Sequence, residues 1–304
     1  MTRTPPTLTG LLAFPLTPFG DDLALDLDAF APQVRAHLDA GAGALFVACG
    51  TGEFSALAPE EVRGVLRVAR EVTGGRVPVW VGAGGGAEQA RAGVRMAAEE
   101  GADGVLLLPP YLVSGPPKGL VAHVRYVTKD ADVPVIVYHR PPAVFTASAV
   151  LDLLDLPTVV GVKDGVGDVD LMTRIVGTVR GSGHPRAAEF QFLNGLPTAE
   201  VSARAYRAIG VRTYSSAVHC FAPEIAHAFH QALDNGDDKT VDDLLVRFYL
   251  PLVALRDETP GFAVSLVKAG ARLRGDRVGG VRPPLVDPTP EQVDRLAKLL
   301  EAAR

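Results

Sequence analysis

Cysteine is nearly missing from this chain. Cys49 and Cys220 are the two it has, too few for a disulfide framework. Lysine is scarce as well: Lys118, Lys129, Lys163, Lys239, Lys268 and Lys298 stand among 30 basic residues. The longest apolar runs are strand-sized, far short of the roughly 20 residues a membrane-spanning helix needs, so no membrane partner is expected. No long run of one charge sign occurs, and the net charge is −5. That balance argues against nucleic acid or an anionic lipid surface as the main partner. Met1-Thr2-Arg3-Thr4-Pro5-Pro6 carries no apolar leader core, which predicts a cytoplasmic location.

What is present is an ordinary globular composition over 304 residues, 47% hydrophobic and 21% charged. Short β-rich runs alternate with amphipathic stretches at the period of a βα unit. Strands are expected at Gly10–Thr17, Ala44–Cys49, Val77–Gly82, Gly104–Pro109, Val133–Tyr138, Val159–Lys163, Phe190–Asn194 and Thr213–Ser216. Helices are expected between them, for example Leu25–Ala40, Pro59–Val72 and Pro197–Ile209. The strand runs are continuously apolar, as a parallel sheet covered on both faces requires. Eight such units predict an α/β fold of the (β/α)8 TIM-barrel type, with a doubly wound sheet as the competing architecture. From Pro223 onward the pattern is helical, with segments at Pro223–Asn235, Val241–Leu255, Phe262–Arg272 and Pro290–Ala303. The division expected is a catalytic barrel over 1–236 and a C-terminal helical extension over 237–304.

A barrel of this type carries its site at the C-terminal ends of the strands. Lys163 closes the apolar run Val159-Val160-Gly161-Val162, and of the six lysines it alone ends a strand-like run. A lysine there loses water, and desolvation favours the neutral amine, a nucleophile toward carbonyl carbon. Tyr138 ends the preceding strand, where its phenol can relay protons during imine formation. Arg140 offers a fixed fork to a carboxylate. The amides of Gly50-Thr51-Gly52 can bind another carboxylate oxygen, the glycines permitting close approach. Each has a plainer alternative: Lys163 snorkelling to water, Tyr138 satisfied in the interior, Arg140 on a loop surface, the glycines merely turning the chain.

Other signals point elsewhere with less support. Gly82-Ala83-Gly84-Gly85-Gly86-Ala87 partly resembles a dinucleotide loop, but it lies in the third βα unit. His227 and His230 are one helical turn apart and near His219, without a convincing third ligand spacing for a metal. Cys49 is expected to be a small buried hydrophobe. Lys268 is expected to be a solvated or inter-helix charge.

Phe14-Pro15-Leu16-Thr17-Pro18-Phe19, Gly50-Thr51-Gly52-Glu53-Phe54, Leu108-Pro109-Pro110-Tyr111, Tyr138-His139-Arg140 and Gly161-Val162-Lys163-Asp164 together carry a resemblance. The chain resembles the lysine-Schiff-base family of dihydrodipicolinate synthase and N-acetylneuraminate lyase along nearly its whole length. The resemblance implies that Lys163 forms an imine with a 2-oxo acid and that Tyr138 transfers protons. Three positions depart from the pattern. Gly50 replaces the second hydroxyl residue usual in the synthases, Leu112 replaces their second tyrosine, and His139 stands where asparagine is usual. Gly50 and Leu112 leave the synthase proton relay incomplete. Val162-Lys163-Asp164-Gly165-Val166-Gly167-Asp168, Asn194-Gly195-Leu196-Pro197 and Ala263-Val264-Ser265-Leu266-Val267-Lys268-Ala269-Gly270 are similar to the family's decarboxylating dehydratases.

That similarity implies a substrate that is a sugar-derived 2-oxo diacid, 5-dehydro-4-deoxy-D-glucarate, converted to 2,5-dioxopentanoate, carbon dioxide and water. Thr51 with its neighbouring amides and Arg140 are the expected carboxylate contacts. Asn194, Ser215 and Ser216 are the expected contacts for hydroxyls or the far carboxylate. No metal or organic cofactor is expected, because an iminium on Lys163 supplies the electron sink. A homo-oligomer, dimer or tetramer, is expected. Two alternatives stay open: an aldolase cleaving a 2-keto-3-deoxy sugar acid, and a non-catalytic sensor of 2-oxo acids.

Overall fold

The computed structural model describes residues 6–130 and 132–303. The N-terminal stretch read for a leader lies, apart from Pro6, outside the described residues. Eight parallel strands close into a barrel in sequence order: β1 (Leu12–Ala13), β2 (Ala44–Val47), β3 (Val79–Gly85), β4 (Gly104–Pro110), β5 (Val135–His139), β6 (Val159–Asp164), β7 (Gln191–Asn194) and β8 (Thr213–Ser216). The doubly wound alternative is excluded by that closure, in which β8 pairs with β1.

Helices α1 (Leu27–Asp39), α2 (Pro59–Thr73), α3 (Ala87–Glu99), α4 (Pro117–Thr128), α5 (Ala147–Leu153), α6 (Val169–Gly181), α7 (Ala203–Ala208) and α8 (Pro223–Asn235) follow the strands in turn. Local chemistry sets their ends. Pro59 opens α2, the Glu61 carboxylate accepts from the Ala58 amide at 2.9 Å, and Gly74 closes the helix at φ +55°. Asp168 caps α6 by accepting from the Leu171 amide at 2.9 Å.

Three elements are shorter or less regular than the sequence predicts. β1 shrinks from Gly10–Thr17 to two residues, because Gly10 is left-handed (φ +68°) and Pro15 and Pro18 bring no amide donor. The expected helix over 197–209 begins as a 3-10 turn, Ala199–Ser202, before α7. The expected Val241–Leu255 helix is α9 (Asp238–Leu244), a π-helical turn (Leu245–Tyr249) and α10 (Leu250–Arg256). Pro251 cannot donate to the preceding turn, and the wider turn lies just before it. The chain continues through α11 (Phe262–Leu273) and α12 (Pro290–Ala302).

Three bodies of apolar side chains hold these layers. Strand residues such as Val47, Val81 and Val137 face the helices. Leu12, Phe46, Trp80, Leu106 and Ile136 fill the barrel interior. Phe14 stacks on Phe46 at 4.8 Å and Phe46 on Trp80 at 5.4 Å, so aromatic rings fill the barrel below its mouth. The third body joins Leu16 and Tyr214 of the barrel to Phe229, Phe248, Leu266 and Leu296. Through it the C-terminal helices share a core with the barrel. No helix among the described residues is long and apolar enough to cross a membrane.

Candidate active site

Tyr138 and Lys163 are directly paired residues on β5 and β6. Side chains alternate along a strand, so these two turn inward while their successors His139 and Asp164 turn to the helix layer. Lys163 is 4% exposed, and its Nζ donates to the Gly195 carbonyl at 3.2 Å. Tyr138 donates its hydroxyl to the same carbonyl at 2.9 Å. Nζ also stands 4.1 Å from the centre of the Tyr138 ring and 5.0 Å from that of Phe14. Two glycines make this crowding possible. A Cβ on Gly195 would lie 2.5 Å from Lys163 Nζ, and one on Gly165 would lie 2.7 Å from the Tyr138 ring. Burial pushes the Tyr138 phenol up, but the Lys163 and Arg140 cations outweigh it, and its pKa falls below the ordinary value.

A cavity of about 410 Å³ opens over this pair. Gly50 and Thr51 line it from the loop after β2, Arg140 from the end of β5 and Ser215 from β8. Arg140 is exposed, and its Nη1 reaches the Tyr138 hydroxyl at 3.5 Å. Gly52 supports the same loop from behind: its carbonyl accepts from Thr17 Oγ1 at 2.7 Å, and a Cβ there would press on Ala48 and Pro15 at 3.1 Å. The C-terminal helices complete the wall with Arg256, Phe262 and Val264, and the irregular segment between α11 and α12 adds Arg282 and Leu285.

Three expected contacts do not line the cavity: Gly52, behind its loop, and Asn194 and Ser216. Asn194 Nδ2 donates to the Ala199 carbonyl at 3.1 Å and to Ser202 Oγ at 2.8 Å, and Oδ1 accepts from the Leu196 amide at 3.2 Å. It organises the turn after β7. Ser216 donates to Glu200 Oε1 at 2.6 Å and is fully buried. Ser215 and Ser216 are successive strand residues, so one faces the cavity and the other cannot. Lys268 corrects another expectation. It is not solvated: it is completely buried and pairs with Glu53 at 2.7 Å.

The remaining sequence signals have structural places. His139 accepts from the Phe145 amide at 2.9 Å, and burial holds its pKa down against the pull of Asp164 and Asp168. Gly82 lets β3 pass Ala48, whose carbonyl would sit 2.2 Å from a Cβ. His219 bridges His37 (2.9 Å) and His227 (3.3 Å), while His230 meets the edge of Tyr214. Burial pushes His37 down to about 3 and His219 to about 4, so both are neutral imidazoles. Among the described residues no group of three or more His, Cys, Asp or Glu is placed to hold a metal. Cys49 is buried, and burial pushes its thiol up to about 12. The Gly195 carbonyl was not anticipated as the shared acceptor, although Asn194-Gly195 at a strand end marked the place.

A buried lysine and a tyrosine meeting at the mouth of an eight-stranded barrel, under a cavity edged by a Gly-Thr-Gly loop, fit an imine-forming site. Residues 7–303 match the model of the dihydrodipicolinate synthetase family. The chain belongs to that family. Within it, the chain is 53% identical over 293 residues to the probable 5-dehydro-4-deoxyglucarate dehydratase 1 of Streptomyces coelicolor, covering 96% of this chain and 92% of that one. It is 44% identical over 297 residues to the probable 5-dehydro-4-deoxyglucarate dehydratase of Rhizobium rhizogenes, covering 97% and 96%. Solved members share the fold. Dihydrodipicolinate synthase from Bacillus clausii superposes with a TM-score of 0.87 at 25% identity, over 97% of both chains. YagE of Escherichia coli K12, solved in complex with pyruvate, gives 0.86 at 26% identity, over 98% of this chain and 99% of that one.

Proposed function

We propose that the chain is a decarboxylating hydro-lyase that converts 5-dehydro-4-deoxy-D-glucarate to 2,5-dioxopentanoate, carbon dioxide and water. The observation that carries this reading is the Lys163–Tyr138 pair at the mouth of the barrel, in a chain 53% identical to a probable dehydratase of that substrate. The pyruvate bound by the structural neighbour YagE supports a 2-oxo acid as the reacting end.

Lys163 Nζ attacks the ketone at C5, and water leaves as the imine forms, with Tyr138 passing the protons. Thr51 and the amides of Gly50 and Gly52 hold the adjacent C6 carboxylate. The iminium acidifies C4. Loss of a C4 proton followed by departure of the C3 hydroxyl gives a C3–C4 double bond conjugated with the iminium. The C1–C2 bond then breaks into that extended sink, releasing carbon dioxide from the far end. Reprotonation, ketonisation at C2 and hydrolysis of the imine give the five-carbon product. Six carbons enter, and five leave with one carbon dioxide and one net water.

The far carboxylate must shed its solvation to depart, so a mouth of mixed character suits it better than a tight cationic clamp. Arg140 and Ser215 are the contacts we assign to that half of the substrate. We treat 1–236 as the barrel and 237–304 as an extension that closes one wall of the site, since Arg256 and Phe262 line the cavity. Tyr111, Leu112 and Val113 form an exposed apolar tip beyond β4 that fits a contact between copies in a homo-oligomer, dimer or tetramer. Two free, buried cysteines fit a cytoplasmic location.

Incubation of the purified protein with the six-carbon diacid tests the function. Carbon dioxide and a five-carbon dioxo acid are expected. Pyruvate and an aldehyde would make it an aldolase, and neither product, with no borohydride-trapped adduct on Lys163, would leave a binding protein.

A further inference from the structure

Glu53 is the last residue of the loop that carries Gly50 and Thr51, and it holds a left-handed backbone (φ +56°). That conformation is uncommon for a residue with a side chain and persists where the surroundings fix it. The surroundings here are specific. One carboxylate oxygen of Glu53 pairs with Lys268 Nζ of α11 at 2.7 Å, and the other accepts from the Arg282 amide at 3.0 Å. Both side chains of the pair are at most 1% exposed. Lys268 also donates to the Gly280 carbonyl at 2.6 Å, and its Nζ lies 4.1 Å from the centre of the Phe19 ring. The Arg282 guanidinium covers the same ring at 4.2 Å and binds Glu61, Ala56 and Leu23.

A buried ion pair is a costly way to stabilise a fold, because both ions are taken from water. Burial pulls the Lys268 pKa down, and Glu53 opposes that pull. The pair also lies between two pieces of the same cavity wall, the loop at 50–53 and the segment at 282–285. We propose that Glu53 and Lys268 are positioning residues: their buried ion pair sets the Gly50–Glu53 loop at the height needed to receive the carboxylate of a 2-oxo acid bound to Lys163. This inference rests on the loop's assignment as the carboxylate cradle. Neither residue touches the reacting carbon. Tyr138 and Lys163 stand on β5 and β6, which the pair does not join, so the two functions separate.

The test traps the imine of pyruvate with borohydride in the wild type, in Lys268→Met, and in the double variant Glu53→Gln, Lys268→Met. Imine formation joins Nζ to the ketone carbon and releases water; hydride then fixes the adduct as a secondary amine readable by mass. Lys268→Met leaves a lone carboxylate buried and is expected to melt lower, whereas the double variant leaves no lone charge and recovers. Both variants are expected to need on the order of tenfold more pyruvate for half-maximal trapping, with a maximal trapping rate within about twofold of wild type. A double variant that melts like wild type and half-saturates at the wild-type pyruvate concentration overturns the proposal. Should the double variant not fold, Glu53→Gln alone, which loses one of the two oxygen acceptors, is expected to show the same raised requirement, and an unchanged one overturns it. A wild type that yields no adduct at all overturns the imine reading and the positioning role together, and that control separates the two failures.

Discussion

Tyr138 and Lys163 share one acceptor, the carbonyl of Gly195, although the three residues come from three consecutive strand ends. The shared carbonyl fixes the phenol and the amine relative to each other before any substrate arrives. In the proposed mechanism such fixed geometry lowers the barrier to a proton relay, since neither side chain has to be reoriented.

Removing the phenol while keeping the ring isolates that relay. Tyr138→Phe is expected to slow imine formation on the order of a hundredfold while thermal stability stays nearly constant. Single-turnover borohydride trapping reads the rate directly. An unchanged trapping rate would remove Tyr138 from the mechanism.

Gly195 is constrained from the opposite side. An added Cβ meets Lys163 Nζ and Cγ at 2.5 Å and the Asp164 carbonyl at 2.7 Å, and the carbonyl belongs to backbone that cannot swing aside. Gly195→Ala is therefore expected to displace the lysine and reduce trapping by roughly a hundredfold, with the circular dichroism of the barrel retained. Trapping at the wild-type rate would show that the lysine has other routes to the substrate.

The barrel was legible because a parallel sheet buried on both faces leaves continuous apolar runs, as in β2, β4 and β5, and these recur with the period of a βα unit. The placement of Lys163 and Tyr138 at the barrel mouth was legible because a polar residue at the end of such a run has few structural uses. Residues one place further along were not. Asn194 and Ser216 close short strands, and β7 and β8 are too short for their apolar pattern to tell inward from outward. Lys268 was misread because α11 is buried on most of its surface, so its pattern gave no polar face to compare with. Its partner Glu53 lies far away along the chain, in a loop recognised for its glycines.

The phase of β8 can be checked by two neighbouring substitutions. Ser215 faces the cavity, and Ser215→Ala is expected to raise KM for the diacid severalfold. Ser216 instead supplies a hydrogen bond to the buried Glu200 carboxylate. Ser216→Ala is expected to leave KM within about twofold while destabilising the fold by about 1–3 kcal/mol, the cost of an unpartnered buried polar group. Steady-state kinetics and thermal melts on the same two proteins read both effects, and the reverse assignment of effects would mean that the strand faces the other way.

Glu200 itself predicts a pH dependence. Its Oε1 accepts from Ser216, its Oε2 has no hydrogen-bond partner among the described residues, and burial raises its pKa from 4.5 to about 7. A carboxyl whose folded-state pKa is raised holds its proton in the folded protein after the unfolded chain has released it. Below the unfolded value the group costs the fold nothing. As pH rises from about 4.5 to about 7 the folded state loses stability, and above about 7 the loss is constant. The whole effect is roughly 3 kcal/mol at most, since each unit of difference is worth about 1.4 kcal/mol. Glu200→Gln keeps the oxygen that Ser216 donates to and removes the titration. Denaturant unfolding of the two proteins across that range is expected to show the wild type losing stability relative to Glu200→Gln as pH rises, with the gap widest at the alkaline end. Parallel curves would mean that the carboxyl is ionised in the folded protein throughout, held by a partner at Oε2.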